Sequence, residues 1–416
     1  MSWIPFIAGK KSVFNKTGFA SVISKVAVIG VAISVTVMLL SLSVLKGYKT
    51  LIKDKMAGFS GHIQVLSVET AKFYDYEPFL ISNEQIIKIS GQSGVSSVFP
   101  VIQKAGIAKT SFDLEGIVIK GLLPNNDSVF YKSILKYGSL PKADSNGRSN
   151  QIVISAKLAQ TLQCDTGQKI RIYFFGDKQV RALAPIICGI YSTGVEEYDK
   201  LYTLCSYQDL VSYTVPVDLY KQALADNAFA VTHLEIKVKN FNNLEAISQD
   251  INQNLPQELR CETIKSLQSQ VFDWLGYLDK NIEIILILMG LVAAINMTTA
   301  ILILIVDSTA LIGLLKSVGA TSEKIELLFI RLAMQIIFFG LLIGNFFALS
   351  FITLQYFFKI IKLNEENYYT SFVPVVFNWI DFVWINIATI IICTLFMYLP
   401  SKYISRLSAI KAIRFK

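Results

Sequence analysis

Apolar positions along this chain gather into four blocks, residues 26–46, 280–306, 326–358 and 375–399, while residues 47–279 are polar and mixed. A helix rises about 1.5 Å per residue, so about 20 residues cover the roughly 30 Å of a bilayer core, and each block predicts a transmembrane helix. No charge interrupts residues 26–45. The third block is longer than a bilayer needs and carries Arg331 near its start, so its first turns are expected in the interface or in water. Trp274 and Tyr277, then Tyr368, Tyr369 and Phe372, then Trp379 and Trp384 fall where block ends should meet headgroups. The first block exceeds the 7 to 15 apolar residues typical of a signal peptide, and residues 42–47 offer no small-x-small cleavage site, so an uncleaved span is expected.

Inside 47–279 the period changes. Residues 47–59 and 266–277 keep helical spacing and predict two helical stalks continuing from the first and second spans. Between them, β-type runs at 62–68, 95–101, 116–120, 170–175, 180–190, 201–205 and 234–238 alternate with helical segments at 84–89, 155–162, 207–213 and 244–254, with Ser155 as an N-cap. The loop-rich stretch around Asn125, Asn126, Asp127, Pro141, Asn146 and Gly147 predicts an inserted subdomain at about 125–229. The fold class that follows is a membrane protein with four transmembrane α-helices, one N-terminal and three C-terminal, and a large α+β extracytoplasmic domain between spans 1 and 2.

Charge sets an expected orientation. Lys plus Arg outnumber Asp plus Glu by 5 in residues 1–46 and by 4 in 280–416, and fall short by 1 in 47–279. Lys10, Lys11, Lys16 and Lys25 precede the first span, and Lys402, Arg406, Lys411, Arg414 and Lys416 follow the last. Basic residues stay on the cytoplasmic side, so segments 1–25 and 400–416 are expected inside, with loop 307–325, while 47–279 and loop 359–374 lie outside. Lys46, Lys49, Lys53 and Lys55 run against that bias, though long domains translocate largely regardless of charge. The basic excess reads as topology and contact with anionic membrane lipids, with no nucleic-acid partner.

No phosphate-cradling Gly-x4-Gly-Lys-Ser/Thr, His-Glu-x-x-His or Gly-x-Ser-x-Gly motif occurs, so no catalytic residue, metal site or cofactor is expected. His62 and His233 sit among apolar neighbours in predicted strands and read as structural. The acidic pair in Gly194-Val195-Glu196-Glu197-Tyr198-Asp199 could suggest a cation, but no second oxygen-rich segment accompanies it, and a solvated loop is expected. Cys164, Cys188, Cys205, Cys261 and Cys393 show no metal-type or redox-type spacing and read as free thiols. Asp307 closes the second span, where a charge is cheap, and Asn296, Thr298, Thr299, Gly340 and Gly344 are expected to pack helices together.

The loop after the second span is the sharpest local signal. Leu311, Leu314, Leu315 and Val318 recur at helical spacing, Gly319 can stop that helix, and Ser322 can cap the next. The stretch 312–321, IGLLKSVGAT, preceded by Ala294-Ile295-Asn296-Met297 and Val306-Asp307, resembles the permeases of lipoprotein-releasing, LolC/LolE-type ABC transporters in the MacB/FtsX superfamily. Pro5-Phe6-Ile7-Ala8 and Leu42-Ser43-Val44-Leu45-Lys46-Gly47-Tyr48 are similar to that family's opening, residues 189–199 to its strand-loop signature, and Pro400, Arg406, Leu407, Ala412 and Arg414 to its terminal tail. The resemblance covers nearly the whole chain, with departures: Leu311 stands where the family often has an acidic residue, and Leu332-Ala333 where Glu-Gly is expected.

The resemblance implies an inner-membrane, multi-pass permease subunit of a type VII ABC transporter, working as a homo- or heterodimer with separate ABC ATPase subunits that bind the ATP. It would extract lipoproteins for outer-membrane delivery, with a periplasmic lipoprotein carrier as a further candidate partner. Leu311, Ile312, Leu314, Leu315, Lys316 and Val318 would form the coupling helix that docks on the ATPase. Some members capture the carrier with a long loop after the strand matching 170–175; here only Gly176-Asp177-Lys178-Gln179 intervenes before Val180. Other readings are an efflux or cell-wall-regulating permease of the same superfamily, or a receptor with an extracytoplasmic sensor domain.

Overall fold

The computed structural model describes residues 19–69, 76–124, 128–142, 144, 147–175, 180–364 and 368–401. Expectations resting on residues 1–18, 125–127, 146, 176–179 and 402–416, among them Lys10, Lys11, Lys16 and the basic tail, lie outside these. The chain divides into a membrane unit, residues 1–49, 274–362 and 372–416, and a second unit, residues 50–273 and 363–371.

Among the described residues, four helices are long and apolar enough to cross a membrane: Phe19–Ser60, Ser269–Asp307, Ser322–Phe358 and Trp379–Ser401. The first runs without a break through the stalk and stops where Gly61, at φ +73°, takes the left-handed conformation that ends helices. The second likewise absorbs most of its stalk, starting at Ser269. Thr321, and not Ser322, holds the N-cap position of the third, and it makes no side-chain cap bond. The fourth begins at Trp379 and not at 375, because Asn378 Oδ1 accepts from the Ile380 amide at 2.9 Å and starts the helix there. Ala293, Met297, Ile301, Ile336, Ile337 and Cys393 are buried in one apolar cluster of this unit, and Val31, Val35, Leu39, Ala348 and Ile385 in another. Val22, Val26, Ile29 and Ile33 recur along the first helix as an exposed apolar stripe, the pattern of a lipid-facing surface.

The second unit is α+β. Its strands are β1 Ile63–Ser67, β2 Phe79–Ser82, β3 Val95–Lys109, β4 Leu114–Leu122, β5 Leu135–Gly138, β6 Gln151–Ser155 and β7 Arg171–Phe175. They continue as β8 Val180–Leu183, β9 Ile186–Tyr191, β10 Tyr202–Ser206, β11 Ala228–Val231, β12 His233–Val238 and β13 Leu259–Thr263. The main sheet runs β13-β1-β12-β3-β4-β10-β6-β9-β5, with β7 on β3 and β8 on β7, while β11 pairs with β2. The 15-residue β3 joins two halves of this sheet: Val95–Val101 pair with β12, and Ile102–Lys109 pair with β4. Strand β4 therefore belongs with β10 and the chain that follows it, so the second half of the sheet opens at Ile102, ahead of the expected residue 125. The expected strand at 180–190 is two strands, because Pro185 has no amide hydrogen to keep one ladder going. Ile102, Ile119, Ile152, Ile154, Ile172, Ile187, Ile190 and Leu210 form the core of this half. Ser155 caps its helix, Ala156–Thr161, its hydroxyl accepting from the Leu158 amide at 3.0 Å.

Candidate functional site

The loop after the second span folds as a short helix, Thr309–Ser317, ended by Gly319 at φ +91° with the Ala320 amide donating to the Leu315 carbonyl at 2.9 Å. Of the six residues expected to dock, Leu314 is 59% and Val318 81% exposed, while Leu311, Leu315 and Lys316 are half-buried. Ile312 is a correction: at 1% exposure it belongs to the apolar cluster with Ile325 and Phe329, so it holds the helix in place and presents nothing outward. Residues 311, 314 and 318 share one helical face, which reduces the outward surface to Leu314 and Val318 with Leu311 at its edge.

At the far end of the first helix, Phe59 is gripped. Its ring stacks on Tyr198 at 4.5 Å, meets Tyr202 edge-on at 5.2 Å and lies 6.1 Å from Tyr191. The Ser60 hydroxyl donates to Tyr198 Oη at 2.7 Å. Buried Lys120 on β4 donates from Nζ to the Phe59 carbonyl and, at 2.6 Å, to Glu235 Oε1 on β12. A cation on the last carbonyls of a helix also meets the negative end of its dipole. His233 completes the cluster, with Nε2 3.4 Å from Glu235 Oε1 and Nδ1 3.2 Å from Thr232 Oγ1. Burial pulls the His233 and Lys120 pKa values down from their ordinary ranges, Glu235 opposing in both. Burial would raise the Glu235 carboxyl, yet Lys120 and His233 together hold it below the usual carboxylate range.

The signature stretch 189–199 supplies Tyr191 and Tyr198 to this grip, and one of its acidic residues, Asp199, is buried and not solvated as expected. Asp199, 8% exposed, accepts from the Thr193 amide at 2.9 Å, the Thr193 hydroxyl at 2.7 Å and the Gly194 amide at 3.0 Å. Its role is to fix the loop that carries Tyr198. Among the described residues no group of three His, Cys, Asp or Glu is placed to hold a metal, and all five cysteines are free. His62 Nδ1 accepts from the Val238 amide at 3.2 Å, a structural use.

In the membrane unit, a Cβ on Gly340 would lie 2.8 Å from Val31 Cβ and one on Gly344 2.8 Å from the Ala32 carbonyl, so the third helix touches the first backbone to backbone. Thr36 Oγ1 donates to the Gly344 carbonyl at 3.1 Å across the same contact. Asn296 lies against Gly30, where an added Cβ would come within 2.5 Å of its Nδ2. Replacing Gly344 by Val is expected to cost about 1 to 3 kcal/mol through overpacking. Chemical unfolding in micelles checks this, with Gly290→Ala, whose nearest neighbour would be 3.5 Å away, leaving the midpoint unchanged. Sequence reasoning missed two sets of partners here. Asn345 and Asn386 exchange amide hydrogen bonds at 2.8 and 3.2 Å between the third and fourth helices, and an Asn well inside each of these apolar blocks was the available signal. Lys46 pairs with Asp381 at 2.7 Å and Lys49 with Asp279 at 2.6 Å, so two of the four lysines that oppose the charge bias are neutralised locally.

This arrangement, one span, a large mixed domain and three further spans with a short helix between two of them, defines a multi-pass membrane protein of permease type. The chain matches the MacB-like periplasmic core domain over residues 24–254 and the FtsX-like permease C-terminal over residues 283–409. It is 21% identical to the lipoprotein-releasing system transmembrane protein LolC of Neisseria meningitidis, over 79% of this chain and 77% of that protein. It is 20% identical to LolC of Xylella fastidiosa over 97% and 96%, and 19% identical to LolE of Haemophilus influenzae over 94% of each. Among solved structures it is similar to the extracellular domain of the noncanonic ABC-type transporter YknZ, with TM-score 0.30 and 13% identity over 48% of this chain and 99% of that one. The periplasmic region of MacB from Actinobacillus actinomycetemcomitans gives TM-score 0.33 and 12% identity over 50% and 91%. The chain belongs to the MacB/FtsX family of ABC transporter permeases.

Proposed function

We propose that this chain is the permease subunit of a lipoprotein-releasing ABC transporter of the inner membrane, with both termini cytoplasmic, driven by ATP hydrolysis on a separate ATPase subunit. The observation that carries this is similarity to LolC and LolE along nearly the whole chain, loop helix included. The work would be mechanical. Nucleotide-driven movement enters at Leu314 and Val318, and the unbroken first helix hands motion to Phe59 and the sheet that grips it. No bond of the cargo is made or broken by the chain itself. Depletion of the chain in its host is expected to strand lipoproteins in the inner membrane, measured by fractionation of labelled lipoproteins. Normal outer-membrane delivery after depletion would reject the reading.

The connection between β7 and β8, where Phe175 pairs with Val180, favours a second reading as an efflux or cell-wall-regulating permease. Four residues leave no room for a long carrier-capturing loop there. The same depletion experiment separates the two, since only the first predicts stranded lipoproteins.

A further inference from the structure

The short connection between the third and fourth spans is not a free loop. Residues 363–371 belong to the same compact unit as residues 50–273. Lys55, on the stalk portion of the first helix, donates from Nζ to the Tyr369 carbonyl at 2.7 Å. The Tyr369 hydroxyl donates to Glu197 Oε1 at 3.3 Å, and Thr370 beside it is 2% exposed. Tyr369 holds φ +56°, a left-handed conformation that a tyrosine adopts only when its surroundings impose it.

The two limbs of the connection are tied to each other. The Leu363 amide donates to the Ser371 carbonyl at 3.0 Å, and Lys362 and Phe372 form a β-bridge. Below them Gln355, 2% exposed near the end of the third helix, accepts from the Ile361 amide at 3.0 Å and donates to the Val373 carbonyl at 2.9 Å. One buried amide thus fastens both limbs at the base.

Glu197 neighbours Tyr198, the residue that stacks on Phe59. The signature loop therefore holds the stalk end and the tip of this connection with adjacent side chains. Burial, with Glu197 alongside, pushes the Tyr369 phenol up to about 12, so it remains a donor across the physiological range. We propose that the described residues of this connection, 363–364 and 368–371, act as a strap, with Tyr369 and Glu197 as its positioning residues, that carries movement of the large domain to the third and fourth membrane helices. This rests on the proposed function, because a strap matters only if that domain moves in a driven cycle.

The test uses the full chain with its ATPase subunit in vesicles, carrying Glu197→Cys and Tyr369→Cys joined by a short bismaleimide. Cross-linking is expected to be equal without nucleotide and with ATP plus vanadate, and the joined complex to keep its ATPase rate within about twofold. A yield that changes about fivefold or more between the two states, or a stalled ATPase, overturns the strap. In the uncoupled state, Tyr369→Ala is expected to lower lipoprotein release about tenfold at unchanged ATPase rate and unchanged protein level. Glu197→Gln, which keeps an acceptor for the phenol, is expected to retain release, and equal loss of release and ATPase in Tyr369→Ala overturns the proposal. If no ATPase subunit accompanies the chain, the proposed function is what fails. Cross-linking in native membranes then judges the contact alone, and its absence overturns the strap.

Discussion

Lys120→Met is expected to destabilise the large domain by about 3 to 5 kcal/mol, the largest stability effect of any single substitution considered for this chain. The methionine fills the volume, but Glu235 then stays buried, 5% exposed, without the ammonium that pairs with it. The Phe59 carbonyl also loses its lysine donor and is left with the longer bond from the Tyr131 hydroxyl, at 3.3 Å, so the hold on the stalk end weakens with the sheet. Lys120→Met with Glu235→Met removes both charges and is expected to recover most of the loss, because a buried pair gains little over well-packed apolar side chains. Thermal unfolding of the full chain in detergent checks both variants, and a wild-type midpoint in Lys120→Met would refute the account. The acid side follows with a definite sign. The folded pKa values of Glu235 and His233 lie below their ordinary values, and that of His62 is lowered to about 4, so the folded state binds fewer protons than the unfolded one. Their contribution is complete above the unfolded histidine value of 6.5 and is lost as pH falls through the folded values, for His62 between 6.5 and about 4.

This cluster also marks where the sequence stops being legible. Blocks of 20 or more apolar residues carry a one-dimensional signal, and all four membrane helices follow it, as do the short strands with clear alternation. Lys120 directly follows the apolar run Ile117-Val118-Ile119, and Glu235 lies between Leu234 and Ile236, so each marks a charge that needs a partner. Which charge answers which depends on β3 standing between β4 and β12, a pairing that no local pattern contains. Asp199 failed for a related reason. An acidic loop looks solvated in sequence, and only the turn back of Thr193 and Gly194 onto its carboxylate makes it a fixed support. In the helix after the second span, helical spacing named four residues and the resemblance added Ile312 and Lys316, without saying which face meets the neighbouring helices. Ile312 and Leu314 are two positions apart, so they point to different sides, and burial alone tells anchor from outward surface.

That division gives the second large effect. Under the proposed function, Leu314→Asp and Val318→Asp are each expected to reduce co-purified ATPase subunit by at least about tenfold while the permease accumulates normally. Both side chains are more than half exposed, so a carboxylate there is tolerated by the free chain. Buried against a partner, it must shed its hydration with no cation arranged to receive it, which costs more than the apolar contact it replaces. Ile312→Asp should behave in the opposite order. Its side chain is inside the cluster with Ile325 and Phe329, so the charge is desolvated in the permease itself, and the expected result is a low protein level before any partner is involved. A pull-down normalised to permease level distinguishes the two classes. Full retention of the ATPase by both Leu314→Asp and Val318→Asp would remove this helix as the docking surface. A normal level of Ile312→Asp would show that the helix is not anchored as its burial requires.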